Sequence, residues 1–392
     1  MEVFNTPSKV IVTCYRRLSP YLQEEIKELG FNIDRSFATG VALEATVNDC
    51  IRLNLHLRCA SQVLYSLNAF QAANPDELYE ALSEIPWEDL IAFDGYVSVT
   101  SHVNNPTITT PLFANLKVKD AITDRIKSKK GQRPDSGPDL YRTVVHLYWQ
   151  DDQAEIFLDT SGEVLAKHGY RKHPGKAPML ESLAASVVYA TAWDGQSAFV
   201  NPMCGSGTIA IEAALIATNR KPGLLRMNYG FMHILGYDEQ IFFAERRRLK
   251  DLVDKKPTAK IIASDIAKEA VEIARMNAKT AGVDQLIEFH VCDFADTPLP
   301  DGPGVVIFNP EYGDRMGVHS KLEATYGRIG DFLKQRGAGK RGYVFTGNPD
   351  LAKRIGLRAS RRIEFYNGRL DCRLLVFELY SGTKRDISDA PR

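Results

Sequence analysis

The sequence has no excess of charge of either sign. Its 49 Lys and Arg residues balance 49 Asp and Glu residues, so the formal net charge is zero. This balance argues against a chain that coats nucleic acid along its whole length, so an RNA-binding role must rest on local clusters. The composition, 44% hydrophobic and 25% charged, is that of an ordinary globular protein.

Paired cysteines and long apolar runs are also missing. The six cysteines are Cys14, Cys50, Cys59, Cys204, Cys292 and Cys372. None forms a C-x-x-C pair, which argues against a zinc site or a disulfide framework, and we expect no bound metal. No run approaches the ~18 apolar residues of a membrane span, and no basic segment followed by an apolar one opens the sequence. These absences predict a reduced, cytoplasmic protein that has no membrane partner.

Length and periodicity predict several domains. The 392 residues exceed the roughly 100–200 residues of a typical domain. The front half mixes helical and strand patterns, including a helical pattern over residues 48–67 with Asn48 as its N-cap. A polar connector, residues 163–178, leads into a helix over residues 179–192. Beyond it strands and helices alternate, which predicts an α/β fold with a doubly wound, mostly parallel sheet.

A glycine turn between a strand and a helix is the strongest local signal. The turn reads Asn201, Pro202, Met203, Cys204, Gly205, Ser206, Gly207 and Thr208. Gly205 and Gly207 let the backbone approach a ligand closely, and the following helix start offers free N–H groups. The third glycine of a dinucleotide loop is absent and no lysine follows, which argues against both the dinucleotide and the P-loop interpretation.

Acidic residues follow the next two predicted strands. Asp265 can accept hydrogen bonds from both ribose hydroxyls of an adenosine, although a helix N-cap is an equal alternative. Asp293 can accept from an adenine amino group, or can simply form a turn. Phe294 or Ile266 would then pack against the adenine ring.

The fourth predicted strand ends in Asn309-Pro310-Glu311-Tyr312. An aromatic ring can stack on a flat base, while the Asn309 side-chain oxygen and a rigid backbone carbonyl accept the hydrogens of its amino group. An exocyclic amine is a poor nucleophile because its lone pair is delocalised. Two acceptors orient it and relieve the positive charge that develops during transfer. We therefore predict Asn309, Pro310 and Tyr312 as the catalytic residues.

These motifs together resemble class I S-adenosylmethionine-dependent amino-methyltransferases. More closely, the chain is similar to the amino-terminal half of the bifunctional 23S rRNA guanine-N2 methyltransferase. The resemblance implies a ferredoxin-like lead over residues 1–60, a THUMP-like RNA-binding domain over 61–162, and a Rossmann-like methyltransferase domain over 179–385. It also implies S-adenosylmethionine as cofactor. The cofactor-binding residues expected on these grounds are Asn201, Pro202, Cys204, Gly205, Gly207, Thr208, Asp265, Ile266, Asp293 and Phe294.

The sequence departs from the family pattern at two positions. The family usually has an acid where Asn201 stands, which bears on a contact to the methionine part of the cofactor. It usually has a second proline where Glu311 stands.

Basic residues cluster in two places despite the neutral total. The predicted RNA contacts are Lys117, Lys119, Lys127, Lys129, Lys130, Arg171 and Lys172. Such residues would position RNA through its phosphates without reading its sequence. Tyr170, between the connector charges, would offer a stacking surface. A solvated helix face remains the alternative for the first cluster.

The predicted activity is methyl transfer to the exocyclic N2 of a guanine in RNA, with 23S rRNA as the expected partner. Two enzymatic alternatives are a tRNA guanine-N2 and an adenine-N6 methyltransferase. An alternative of another class is a catalytically silent rRNA-binding assembly factor, which the Asn201 and Glu311 departures keep open.

Overall fold

A computed structural model of the protein describes residues 2–108, 110–173, 179–312 and 319–379. The end of the predicted methyltransferase segment, residues 380–385, lies outside this part. The chain divides into two compact units. The front unit comprises Met1–Tyr15, Leu22–Ala166 and Pro222–Asp251, and the rear unit comprises Arg16–Tyr21, Lys167–Lys221 and Leu252–Arg392.

Strands and helices alternate along most of the chain. The strands are β1 (Ser8–Thr13), β2 (Arg35–Phe37), β3 (Gly40–Ala45), β4 (Gln62–Gln71), β5 (Tyr96–Asn104), β6 (Asp135–Ser136), β7 (Thr143–Gln150), β8 (Gln153–Asp159), β9 (Ala198–Pro202), β10 (Ile261–Asp265), β11 (Ile287–Val291), β12 (Gly304–Phe308), β13 (Arg341–Thr346), β14 (Arg361–Asn367) and β15 (Leu370–Glu378). The helices are α1 (Ser19–Glu28), α2 (Val47–His56), α3 (Pro75–Ser83), α4 (Pro111–Lys130), α5 (Glu181–Ala190), α6 (Thr208–Ala217), α7 (Glu239–Asp251), α8 (Lys268–Ala281), α9 (His319–Arg336) and α10 (Pro349–Arg354).

The front unit is built on an eight-stranded sheet with the order β2-β3-β1-β4-β8-β7-β5-β6. The helical pattern predicted over residues 48–67 is wrong at both ends. Thr46, not Asn48, caps α2, because the Thr46 and Asp49 side chains form a reciprocal capping box with the backbone. The helix ends at His56, and Val63 already lies in β4.

The rear unit contains the predicted mostly parallel sheet, with the order β11-β10-β9-β12-β13-β15-β14. The pairs from β11 to β13 are parallel, and β15 runs antiparallel to both β13 and β14. In a parallel sheet all carboxyl ends meet at one edge, where ligands bind. The segments that follow β9, β10, β11 and β12 therefore begin at the same edge. The predicted fold class is confirmed.

The rear core explains why β12 is an uninterrupted apolar run. Val306 and Phe308 are fully buried in a cluster with Phe294 and Phe332. The three rings pack edge to face, with centroids 5.6–6.3 Å apart. This packing fixes the end of β12, from which Asn309 projects. No helix in the described ranges is long and apolar enough to cross a membrane.

Residues 222–251 belong to the front unit, although the sequence-based division placed them within residues 179–385. The Arg246 side chain donates to the carbonyl oxygens of Gly223, Leu224 and Arg226. Arg226 in turn donates to the carbonyl oxygen of Ser161. These bonds tie the segment to the end of the front sheet, and no hydrophobic periodicity could have shown them.

Candidate cofactor and base-binding site

The glycine turn has the backbone conformation that its residues predict. Pro202 ends β9, the Cys204 N–H donates to the carbonyl of Ser264, and Thr208 begins α6. Gly205 and Gly207 have φ angles of +54° and +82°, which a residue with a side chain rarely adopts. A Cβ atom on Gly207 would also lie 2.8 Å from the Cβ of Ala274. Gly207 therefore has no room for a side chain, whereas at Gly205 a side chain would strain the backbone without a clash, as at Met203, whose φ is +55°.

Asp265 organises this turn from the end of the neighbouring strand. Its Oδ2 accepts the Gly205 N–H at 3.0 Å, and its Oδ1 accepts the Ala267 N–H at 3.0 Å. The second bond closes a turn before α8, but it does not cap the helix, because the N-cap of α8 is Ala267 and no side chain caps it; the N-cap alternative for Asp265 is therefore wrong. Each carboxylate oxygen has a further lone pair, so Asp265 can still accept ribose hydroxyls.

The two residues predicted to contact the adenine ring differ in exposure. Ile266 is 71% exposed, whereas Phe294 is only 6% exposed. Phe294 packs inside the rear core, with the Arg328 guanidinium 4.8 Å from its ring centroid. This burial corrects the prediction for Phe294, because its ring already has partners. Ile266 offers the free apolar surface.

Asp293 has two partners within the protein. Its Oδ1 accepts from the Ala295 N–H at 2.9 Å and from Arg328 at 2.7 Å. Burial raises the pKa of Asp293, but these two donors outweigh it and leave the pKa below its ordinary value. The carboxyl group therefore stays ionised and acts as an acceptor.

Asn309 presents an unused acceptor at the end of β12. Its Oδ1 is buried and has no hydrogen-bond partner among the described residues. Pro310 is buried, Glu311 is exposed, and the Glu311 carbonyl accepts a long bond of 3.4 Å from the Tyr326 hydroxyl. A buried, unpaired oxygen costs stability unless a ligand uses it. The Asn309 Oδ1 is therefore available to accept a hydrogen bond from a ligand.

Tyr312 is held by residues from two other strands. Its hydroxyl accepts from Asn367 at 2.9 Å, and its ring centroid lies 6.4 Å from that of Phe345. Burial raises the pKa of Tyr312 to about 12, so the hydroxyl stays protonated and cannot act as a base at neutral pH. The sequence argument missed Asn367 as a support, since no spacing links it to Tyr312. Residues 313–318 of the same motif lie outside the described residues.

Asn201 connects the glycine turn to the catalytic strand. The β9–β12 ladder ends at Val200 and Val306, and the Asn201 Nδ2 then donates to the Ile307 carbonyl at 2.9 Å. Its Oδ1 is buried and unpartnered within the described part. An amide can make this cross-strand bond, whereas an ionised acid in the same place cannot donate.

Asn201→Asp should therefore lower the free energy of unfolding, although an acid is the residue that the family usually has at this position. A buried carboxylate facing the Ile307 carbonyl loses the donated bond, at a cost of about 1–3 kcal/mol in the free energy of unfolding. Thermal unfolding at neutral pH, compared with Asn68→Asp on an exposed strand position, measures the difference. An unfolding midpoint equal to that of Asn68→Asp would contradict this role for Asn201.

The basic cluster on α4 separates into lysines that form ion pairs and lysines that form none with the residues that the structure describes. Lys117 pairs with Asp76 at 3.0 Å, and Lys119 pairs with Asp120 at 2.9 Å. The others, Lys127, Lys129 and Lys130, occupy the exposed last turn of the helix. We therefore retain these three as the predicted phosphate contacts.

The described connector residues that were predicted to face RNA differ in burial. Tyr170 is 1% exposed and donates its hydroxyl to Glu212, so the prediction that it stacks on RNA is wrong. Arg171 binds Glu181 at 2.8 Å and the Met179 carbonyl, which corrects its placement among the RNA contacts. Lys172 is exposed and remains a predicted contact.

No group of three or more His, Cys, Asp or Glu side chains is arranged to hold a metal ion within the described ranges. The arrangement offers a glycine turn, a carboxylate and neutral amide acceptors along one sheet edge.

Three family profiles match the chain in succession. They are an RlmL ferredoxin-like domain over residues 9–64, a THUMP domain over residues 72–159, and an RMKL-like methyltransferase domain over residues 168–375. The resemblance inferred from the motifs, and with it the expected S-adenosylmethionine cofactor, is confirmed.

Curated relatives are similar to this chain over nearly all of its length, but they are longer. A protein from Syntrophotalea carbinolica, named ribosomal RNA large subunit methyltransferase K/L, is 34% identical over 96% of this chain and 54% of its own length. A protein of the same name from Allochromatium vinosum is 36% identical over 93% of this chain and 51% of its own. The chain spans about half the length of the curated relatives it matches.

Solved structures match the chain along nearly its full length. A methyltransferase complexed with SAH is 25% identical, with a TM-score of 0.86 over 97% of this chain and 99% of that one. A structure from Listeria monocytogenes, described as an N6-adenine-specific DNA methylase, is 30% identical, with a TM-score of 0.85 over 96% of this chain and 97% of that one.

Proposed function

Because the chain belongs to the RMKL-like methyltransferase family, we propose that it transfers a methyl group from S-adenosylmethionine to the exocyclic N2 of a guanine in large-subunit ribosomal RNA. The curated relatives named large subunit methyltransferases support the choice of RNA. The THUMP match over residues 72–159 supports an RNA-holding front region.

The observation that carries the proposal is the buried Asn309 Oδ1, which has no hydrogen-bond partner within the part of the chain that the structure describes. S-adenosylmethionine supplies an electrophilic methyl group when it is bound. Asn309 accepts one amine hydrogen and so directs the nitrogen lone pair, while the Tyr312 ring offers a surface for the base. The amine is neutral before transfer and positive during it, so oriented neutral acceptors suffice and no strong base is needed.

The base and its modified atom can be identified in cells. Ribosomal RNA from a strain that lacks this gene should lose one N2-methylguanosine, and the wild-type gene should restore it. Nucleoside digestion and mass mapping of large-subunit RNA provide the measurement. Unchanged N2-methylguanosine in the deletion strain would refute the guanine proposal.

Adenine N6 is the second candidate, favoured by the description of the Listeria monocytogenes structure. An adenine amine also presents two hydrogens, so Asn309 and Tyr312 could hold either base. The same mass mapping separates the two, because loss of N6-methyladenosine would favour adenine.

The exposed lysines at the end of α4 form the proposed phosphate-binding surface. Reversing Lys127, Lys129 and Lys130 to Glu should weaken RNA binding and flatten its dependence on salt, because fewer counterions are released. Filter binding at several salt concentrations measures both effects, and cofactor affinity should not change. Reversal of the exposed Lys250, Lys255 and Lys256 to Glu makes the same change in net charge and is the control for net charge alone. If the triple variant binds RNA with the affinity and the salt dependence of the wild type, the three lysines only form a solvated helix face.

A further inference from the structure

A buried asparagine on α8 contacts both the glycine turn and the connector. Asn277 is fully buried and lies one turn after Ala274, whose Cβ faces Gly207. Its Nδ2 donates to the carbonyl oxygens of His173 at 3.0 Å and Ser206 at 3.3 Å. Its Oδ1 accepts the His173 N–H at 3.2 Å. Both amide hydrogens and the amide oxygen are thus used by main-chain groups of two separate segments.

The bond to Ser206 adds a second constraint to the peptide that joins Ser206 to Gly207, whose N–H already donates to the Cys204 carbonyl at 2.9 Å. Ser206 lies between Gly205 and Gly207, two residues that can adopt many backbone conformations when no ligand is bound. A fixed donor on the Ser206 carbonyl restricts the orientation of the peptide that joins Ser206 to Gly207. The amide therefore lowers the entropy that the turn would lose on binding a ligand.

The two bonds to His173 resemble one rung of a β-ladder, with the side-chain amide in place of a peptide. They hold the connector beside the turn, a few residues before α5. Arg171 is fixed nearby through its ion pair with Glu181. The Asn277 amide group consequently donates one hydrogen bond to the connector and one to the cofactor turn.

We propose that Asn277 is a positioning residue that preorganises the turn at Gly205–Gly207 and couples S-adenosylmethionine binding to the order of the connector at His173. The inference rests on the proposed function only in taking this turn as the cofactor site. Coupling of this kind is reciprocal, so whatever orders one segment favours the other.

Asn277→Asp tests the donors, because it keeps the shape and the acceptor but removes both N–H groups. Asn277→Ala removes all three bonds. Both variants should weaken S-adenosylmethionine about tenfold in calorimetry, because each removes the one hydrogen bond that Asn277 donates to the cofactor turn, at the Ser206 carbonyl. KM for the cofactor should rise similarly, while kcat at saturating cofactor should stay within about twofold.

Hydrogen exchange supplies a readout that general destabilisation would not move. In the wild type, S-adenosylmethionine should slow exchange at the His173 amide. In Asn277→Asp, which keeps the acceptor for that amide but loses the bond to Ser206, this slowing should be lost even at saturating cofactor. Val271→Ala, a buried change on the same helix, should lower the unfolding temperature but keep both affinity and protection.

Wild-type cofactor affinity in both Asn277 variants, or retained protection at His173, would overturn the coupling. A wild-type protein that binds no S-adenosylmethionine would instead refute the proposed function. A tenfold loss in Val271→Ala as well would show that the effect is general destabilisation and would also overturn the inference.

Discussion

Asn309→Ala should lower the rate of methyl transfer by about 10²–10³-fold while leaving S-adenosylmethionine affinity intact. The reason is that the buried Asn309 Oδ1 has no partner in the described protein, so a substrate amine is the group it can serve. Loss of one preorganised electrostatic contact typically has this magnitude. Single-turnover transfer to rRNA fragments, with cofactor affinity from calorimetry, separates the two quantities.

Asn309→Asp is the matched variant for this prediction. It retains an acceptor oxygen at the same place and should keep more activity than the alanine variant. Tyr312→Phe should keep the ring but lose the bond from Asn367, with a smaller effect than Asn309→Ala. An alanine variant with the wild-type rate would refute the proposed catalytic loop and favour an RNA-binding protein without this chemistry.

Asp265→Ala should weaken S-adenosylmethionine by about 2–4 kcal/mol, which corresponds to roughly 30- to 1,000-fold. Two effects combine in this loss. The ribose hydroxyls lose their charged acceptor, and the turn loses the bond between the Gly205 N–H and Oδ2. Calorimetry with the purified variant measures the affinity directly.

Asp194→Ala is the matched control for Asp265→Ala. Asp194 also accepts two backbone N–H groups, those of Gln196 and Ser197, but it lies before β9 rather than at its carboxyl end. Its loss should disturb a turn without changing cofactor affinity. Unchanged affinity in Asp265→Ala, or an equal loss in Asp194→Ala, would contradict a direct role for Asp265 in binding.

The sequence predicts those parts of the candidate site in which a glycine, carboxylate or amide residue directly follows a predicted strand. Alternation of strands and helices predicts a parallel sheet, and in such a sheet Gly205, Asp265 and Asn309 must share one edge. That inference needs no contact between side chains. The backbone angles of Gly205 and Gly207 likewise follow from the absence of a Cβ atom.

The failures concern residues whose role depends on distant partners. Tyr170 lies among basic residues in the sequence, as an aromatic residue that stacks on RNA would. Its hydroxyl nevertheless donates a buried hydrogen bond to Glu212, which is distant in the sequence. Phe294 follows a strand as an adenine contact would, but Phe308 and Phe332 enclose it. Burial of this kind depends on tertiary packing, which local pattern does not specify.

Single-turnover transfer from methyl-labelled S-adenosylmethionine to large-subunit ribosomal RNA tests the central claim most directly. After digestion to nucleosides, the label should appear in N2-methylguanosine with the wild-type protein and fall about 10²–10³-fold with Asn309→Ala. Label in another nucleoside would contradict the guanine assignment. No transfer by a wild-type protein that binds both cofactor and RNA would contradict the proposed activity itself.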